Sequence, residues 1–353
     1  MSEYLSPRLA ALEPYVPGEQ PRDRSYVKLN TNESPFPPSP LAQRLARQAA
    51  GDLQLYSDPT CRSLKELAAR EFGIAEENIL FSNGSDEALN FAFLAFCGPD
   101  CPAVFPNVTY GFYKVFARLN GVPYREIPLK ADFRVDVADY AAAGGTVFLA
   151  NPNAPTGLAI TREDVACILR ANPRNVVVID EAYVDFGGES SVELIRQFPN
   201  LLVVGTFSKS RSLAGGRLGW AIGSAELIND LEAVRYSVNP YNVNRMTMAA
   251  GIGALADREY FDRNRAKIIA TRERVGKALS ALGFSLTDSK ANFLFARTTA
   301  MDGKTLYLKL KERGILVRHF DTDLLRDYVR ITVGSDEEMD LLLDGIRAVL
   351  EVQ

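Results

Sequence analysis

Thr206-Phe207-Ser208-Lys209-Ser210-Arg211-Ser212-Leu213-Ala214-Gly215-Gly216-Arg217-Leu218-Gly219 lies between two apolar runs, Leu201-Leu202-Val203-Val204 and Trp220-Ala221-Ile222. The first run reads as a buried parallel strand. A lysine just past such a strand end is poorly solvated, which makes it a candidate amine nucleophile with a lowered pKa. The hydroxyls, adjacent glycines and arginine around it can cradle a phosphate. Taken alone, the stretch also fits an ordinary loop with a solvated lysine, so its surroundings must decide.

Moving outward, Asn175 to Asp180 is a strand with four β-branched residues in a row, Val176 to Ile179. It ends in Asp180-Glu181-Ala182-Tyr183, and an aspartate there is costly unless it is paired or hydrogen-bonded. Thr146 to Ala150 is a second apolar strand. It runs into Asn151-Pro152-Asn153-Ala154-Pro155-Thr156-Gly157, a rigid non-helical loop. Ala103 to Pro106 precedes Thr109-Tyr110-Gly111-Phe112-Tyr113, which opens a helix. Tyr110 there can present a flat ring to a ligand or pack in the core. Asn78 to Ser82 is a strand, and Asn83-Gly84-Ser85-Asp86-Glu87 leads into a helix over Ala88 to Phe96. Gly84 permits a tight turn, Ser85 or Asp86 can cap, and the first N–H groups make an anion site.

Strands thus alternate with helices from about 78 to 223, the pattern of an α/β, doubly wound, mostly parallel sheet. In such sheets functional groups collect at the carboxyl ends of the strands. Ser85, Tyr110, Asn153, Asp180, Tyr183 and Lys209 all fall there, and this convergence favours Lys209 as a functional lysine. Residues 1–39 are rich in proline and read as an extended arm lying on the small domain or a partner subunit. Residues 40–244 form the large domain. Residues 245–353, with hairpin-like strand spacing between helices, form a smaller α+β domain.

Composition removes several classes. The chain has 353 residues, 47% hydrophobic, and a formal net charge of −4 with no basic block, so nucleic-acid binding has no support. One histidine, His319, leaves no room for a histidine-built zinc site, and no metal site is expected. Cys61, Cys97, Cys101 and Cys167 form no CxxC pair and fit a reducing compartment. The N-terminal stretch lacks a signal-peptide core, and the most apolar helical stretch, Ala88 to Cys97, is too short for a bilayer. A cytoplasmic protein is expected, with no membrane partner. Gly303-Lys304-Thr305 lacks the upstream glycine of a phosphate-binding loop, and Gly215-Gly216-Arg217-Leu218-Gly219 does not match the dinucleotide pattern.

A lysine nucleophile, a buried acid, a tyrosine, a stacking aromatic and a one-phosphate cradle are together what pyridoxal 5'-phosphate needs. At these residues the chain resembles the fold-type I, pyridoxal-phosphate-dependent aminotransferases, and within them the histidinol-phosphate subfamily. The likeness runs through Leu29 to Pro35, Tyr56 to Pro59, Gly84 to Glu87, Pro106 to Gly111 and Asn151 to Gly157. It continues through Asp180 to Tyr183, Ser208 to Arg217, Pro240 to Asn244, Asn292-Phe293 and Val329 to Gly334.

The resemblance implies that Lys209 carries the cofactor, Asp180 pairs with its ring nitrogen, Tyr183 bonds its phenolic oxygen and Tyr110 stacks on it. Ser208, Arg217, Thr206 and the N–H groups near Ser85 and Asp86 would hold the phosphate. Tyr56 would reach the phosphate of a partner subunit, which implies a homodimer. Arg330 would clamp the carboxylate of the amino-donor acid, and Arg318, Tyr15 and Asn32 are candidate substrate contacts. The family places asparagine directly before Pro-Thr-Gly, where this chain has Ala154; either Asn153 shifts into that role or Tyr183 works alone. The implied activity is transamination between histidinol phosphate and 2-oxoglutarate, giving glutamate. Threonine-phosphate decarboxylation and aromatic transamination share most of these motifs, and a non-catalytic regulatory protein is a more distant alternative.

Overall fold

The structure is a computed structural model that describes residues 2–10 and 12–351. The arm carries one short strand, β1 (Val27–Lys28). The large domain follows with α1 (Pro40–Ala49), α2 (Arg62–Phe72), β2 (Ile79–Asn83), α3 (Ser85–Phe96), β3 (Ala103–Pro106) and α4 (Phe112–Asn120). It continues with β4 (Tyr124–Ile127), β5 (Thr146–Ala150), α5 (Arg162–Ala171), β6 (Val177–Asp180), β7 (Leu201–Thr206), β8 (Leu218–Gly223) and α6 (Ala225–Val238). Then come α7 (Arg245–Ala256), α8 (Arg258–Ala281), β9 (Phe284–Leu286), β10 (Phe293–Thr298), α9 (Gly303–Glu312), β11 (Ile315–Leu316), β12 (Arg318–His319), β13 (Val329–Thr332) and α10 (Asp336–Glu351).

The large sheet has the order β2-β8-β7-β6-β5-β3-β4, and only β8 runs against its neighbours. Successive side chains of a strand point to opposite faces. Val177, Ile179, Leu201 and Val203 therefore face one layer, with α1, α2, α5 and α7. Val178, Leu202 and Val204 face the other, with α3, α4 and α6. Burial on both faces explains the unbroken apolar runs. Ala250, Ala254 and Leu255 of α7 sit in the first of these layers.

The helix after β2 begins at Ser85, not Ala88, and neither Ser85 nor Asp86 caps it. Gly84, at φ +75, is the N-cap and makes the turn itself, which places Ser85 and Asp86 inside the first turn. Two short strands stand on either side of Val317. β11 pairs in parallel with β1 of the arm, and β12 pairs with β13.

In the small domain the antiparallel order is β12-β13-β10-β9, packed with α8, α9 and α10 over a core of Val275, Leu294, Leu310, Ile331, Leu342 and others. Leu29 of the arm is fully buried in that core, which fastens the arm to the small domain. Among the described residues no helix is long and apolar enough to cross a membrane.

Candidate active site

Register in the large sheet brings distant residues to one edge. Thr206 at the end of β7 lies beside Gly219, and Asn83 at the end of β2 lies beside Leu218. Because β8 is antiparallel, its entry residue Arg217 stands next to the exits of both β2 and β7. Nη2 of Arg217 donates to Oδ2 of Asp86 at 2.9 Å, and the Tyr110 hydroxyl donates to Oδ1 of the same carboxylate at 2.7 Å. A Cβ on Gly84 would overlap the Arg217 guanidinium, and one on Gly219 would overlap the backbone of Gly84 and Ser85. Both glycines keep the start of α3 close to Arg217. Thr206 Oγ1 donates to Ser208 Oγ at 2.9 Å, and Ser208 is buried.

Asp180 ends β6 and is 4% exposed. Oδ2 accepts from the Tyr113 hydroxyl at 3.0 Å, and Oδ1 accepts from the Ala182 N–H at 3.2 Å. Burial outweighs both bonds and pushes its pKa up to about 6. Its sequence neighbour Glu181 has a different role. That carboxylate accepts from Ser190 Oγ at 2.7 Å and from the Ser191 N–H at 2.5 Å, and burial raises it to about 7.

Lys209 follows β7 with its Nζ 5.7 Å from the centre of the Tyr183 ring, donating to the Thr31 carbonyl at 3.2 Å. Burial first, then the Arg330 charge, pulls the ammonium down to about 8, against the opposing pull of Glu33 and Asp86. The loop beyond it is tied down on both sides. Ser210 Oγ donates to Asp185 Oδ2 at 2.5 Å, and Arg211 reaches the Ala254 carbonyl and Glu71 at 2.6 and 3.0 Å.

The small domain and arm close the other side. The Tyr183 hydroxyl accepts from Asn32 Nδ2 at 2.9 Å. Arg330 lies between the rings of Phe293 and Phe320, with Nη2 donating to the Asn30 carbonyl at 3.1 Å; its Nε is buried without a partner among the described residues. Arg318 donates to the Pro17 and Val16 carbonyls at 3.2 and 3.3 Å and so tethers the arm. Tyr15 stacks on Phe112 with ring centres 4.2 Å apart, and its ring centre is 6.3 Å from that of Tyr110.

Most of the expected residues therefore meet, with two departures. Asn153 is not free to replace the missing asparagine. Its Oδ1 accepts from Thr109 at 2.8 Å, and its Nδ2 donates to the Val108 carbonyl and Thr156 at 3.0 and 3.1 Å. The amide that faces Tyr183 is that of Asn32, while Ala154 packs with Ala291, Phe293 and Tyr183. Tyr56 stands away from the cluster, 78% exposed, stacked at 4.5 Å on Tyr241, itself 42% exposed. Tyr113, Thr332 and Asn292 also reach this cluster, and no local pattern in the sequence singles them out. The cost of burying Asp180 signalled that a donor was needed, but nothing local points to position 113. Among the described residues no cluster of three or more His, Cys, Asp or Glu could hold a metal.

The family model for class I and II aminotransferases matches residues 24–346. The chain belongs to this aminotransferase family. It is 49% identical over 350 residues to the histidinol-phosphate aminotransferase of Chromohalobacter salexigens, covering 99% of each chain. It is 47% identical to that of Brachyspira hyodysenteriae over 353 residues, covering 99% of this chain and 100% of the other. The crystal structure of histidinol-phosphate aminotransferase from Sinorhizobium meliloti, in complex with pyridoxal-5'-phosphate, superposes with a TM-score of 0.91 at 28% identity, covering 100% of this chain and 99% of that one. Within the aminotransferase, the glycine-bounded turn at Gly84, the acid at Asp180 and the amine at Lys209 thus sit on the fold expected for them.

Proposed function

We propose that this aminotransferase moves the amino group of histidinol phosphate to 2-oxoglutarate, giving imidazole acetol phosphate and glutamate in histidine biosynthesis. The likeness to histidinol-phosphate aminotransferases along nearly the whole chain carries this reading. The cofactor is pyridoxal 5'-phosphate, and the donor set suits it. Among the described residues Asp180 has no cationic partner, Lys209 has no carboxylate partner within salt-bridge reach, and the turn at Gly84 has no room for a side chain beside Arg217. Lys209 would be the attachment point, Asp180 would face the ring nitrogen and Tyr183 the phenolic oxygen. Ser208, Arg217 and the first N–H groups of α3 would hold the phosphate.

When bound, the cofactor supplies an electron-accepting ring that stabilises negative charge at the substrate's Cα. Lys209, as the free amine, takes the Cα proton and returns it later in each half-reaction. Its lowered pKa keeps a useful fraction of that amine unprotonated near neutrality. Asp180, ionised above about 6, would keep a proton on the cofactor's ring nitrogen. Tyr110 holds Asp86, and Asp86 holds Arg217, so the anion-binding end is oriented before any ligand arrives. Arg330 has an open Nε and a guanidinium plane between two rings, which suits a carboxylate or phosphate clamp.

The enzyme is further proposed to be a cytoplasmic homodimer. Leu53, Leu55, Tyr56 and Tyr241 expose a patch of apolar and aromatic surface that a second copy would cover. Incubation with histidinol phosphate and 2-oxoglutarate should yield glutamate. Carbon dioxide from threonine phosphate, without glutamate, would overturn the assignment. Mixing Lys209→Ala and Tyr56→Phe subunits should recover activity that neither variant has fully, if Tyr56 serves the partner's site.

A further inference from the structure

Asn32 stands in the left-handed region at φ +56 and is 1% exposed, and the small domain holds it on three sides. Its N–H donates to Thr332 Oγ1 at 2.9 Å, Thr332 Oγ1 donates to its Oδ1 at 3.1 Å, and its carbonyl accepts from Asn292 Nδ2 at 3.0 Å. The remaining amide group donates to Tyr183. The residue before it, Thr31, presents the carbonyl that accepts from Lys209, and the residue before that, Asn30, presents the carbonyl that accepts from Arg330. On β13, Val329 and Ile331 point into the small-domain core, so Arg330 and Thr332 share the opposite face.

We propose that Thr332 is a positioning residue that acts through Asn32, holding the Thr31 carbonyl on Lys209 and the Asn32 amide on Tyr183. The proposal rests on Lys209 and Tyr183 being the groups at the reacting centre. A hydrogen bond from an ammonium to a neutral carbonyl favours the charged form. If Asn32 slips, Lys209 loses that acceptor and gives up its proton at lower pH. The charges that bear on Lys209 are Arg330, Glu33, Asp86, Arg217 and Asp180, and a change at Thr332 removes none of them. Substitution of Thr332 by valine keeps the shape and removes the hydroxyl, leaving the buried Asn32 N–H without its acceptor.

The test is made on the cofactor-free chain. The pH midpoint for acylation of Lys209 by acetic anhydride, read by peptide mass spectrometry, should fall by about one unit in Thr332→Val and stay at the wild-type value in Thr332→Ser. In the loaded enzyme, kcat should fall about tenfold with little change in donor KM. A Thr332→Val midpoint equal to wild type, or a Thr332→Ser midpoint shifted as far as that of valine, overturns the proposal. Should Thr332→Val fail to fold, Asn292→Ala removes the other hold on Asn32 and must lower the midpoint in the same direction. The labelling midpoint does not depend on which amine is the substrate, so it can fail or stand independently of the histidinol-phosphate assay.

Discussion

On one side of the site, Asp180, Lys209 and Arg217 come from the edges of adjacent strands in a single sheet. On the other, Asn30 to Asn32 meet Arg330 and Thr332 across 300 residues of chain. The first side supplies groups that titrate near neutrality, because a rigid, two-face-buried sheet can hold a carboxylate and an amine in poor solvation. The second side supplies a permanent cation and a set of amide and hydroxyl bonds, which do not titrate but fix distances. On the proposed roles, the difference teaches that reactivity belongs to the large sheet, whereas alignment depends on the small domain staying in place.

Replacing Lys209 by alanine attacks the first side most directly. Transamination should fall by about four orders of magnitude or more, and borohydride treatment should no longer fix cofactor to the 209 peptide. Retained labelling at that peptide would break the assignment.

Asp180→Asn should lower the rate by about two to four decades, since removing one partner of a buried ion pair costs about 3–5 kcal/mol. The same change should raise the melting temperature of the cofactor-free protein at pH 7.5. Its carboxyl pKa is raised from 3.8 to about 6, so the folded chain holds the extra proton and stability is lost as pH rises through that window. A neutral amide removes that loss. Calorimetry at pH 5 and 7.5 should show the variant's advantage growing with pH, because the loss builds up between 3.8 and about 6.

Arg330→Lys probes the second side and should separate the two regions. A lysine cannot reproduce the two-pronged geometry, so the donor KM should rise about tenfold to a hundredfold. The Lys209 acylation midpoint should move little, because a cation remains. A large loss of kcat with unchanged KM would show that the two sides are not separable in this way.

The smallest effect is in pH. Cofactor capture by the apoprotein, followed by absorbance in stopped flow, should slow about tenfold per unit below pH 8 as the Lys209 amine is protonated. The slope should steepen below about 6, where Asp180 loses its charge. A plain lysine would put the first break near its usual 10.5 instead.

Much of the first side was legible in the sequence. A four-residue β-branched run ending in Asp180 reports a buried strand and an expensive acid, and Leu201 to Val204 followed by Lys209 reports a buried amine, because both signals are local. The glycine at 84 was legible for the same reason. Asn153 misled because sequence shows that an amide exists but not which donors consume it, and here Thr109, Val108 and Thr156 do. Tyr113 was invisible because α4 and β6 are brought together only by the sheet order.

By itself, then, the sequence determined the layer architecture and pointed to the amine at 209, the acid at 180 and the turn at 84, since each depends on the spacing of residues within one element and its loop. Only the tertiary structure decided that Tyr113 serves Asp180, that Asn32 and not Asn153 faces Tyr183, and that Thr332 holds Asn32. Those three depend on register between strands and on the docking of the arm against the small domain, and neither is encoded in any single stretch of residues.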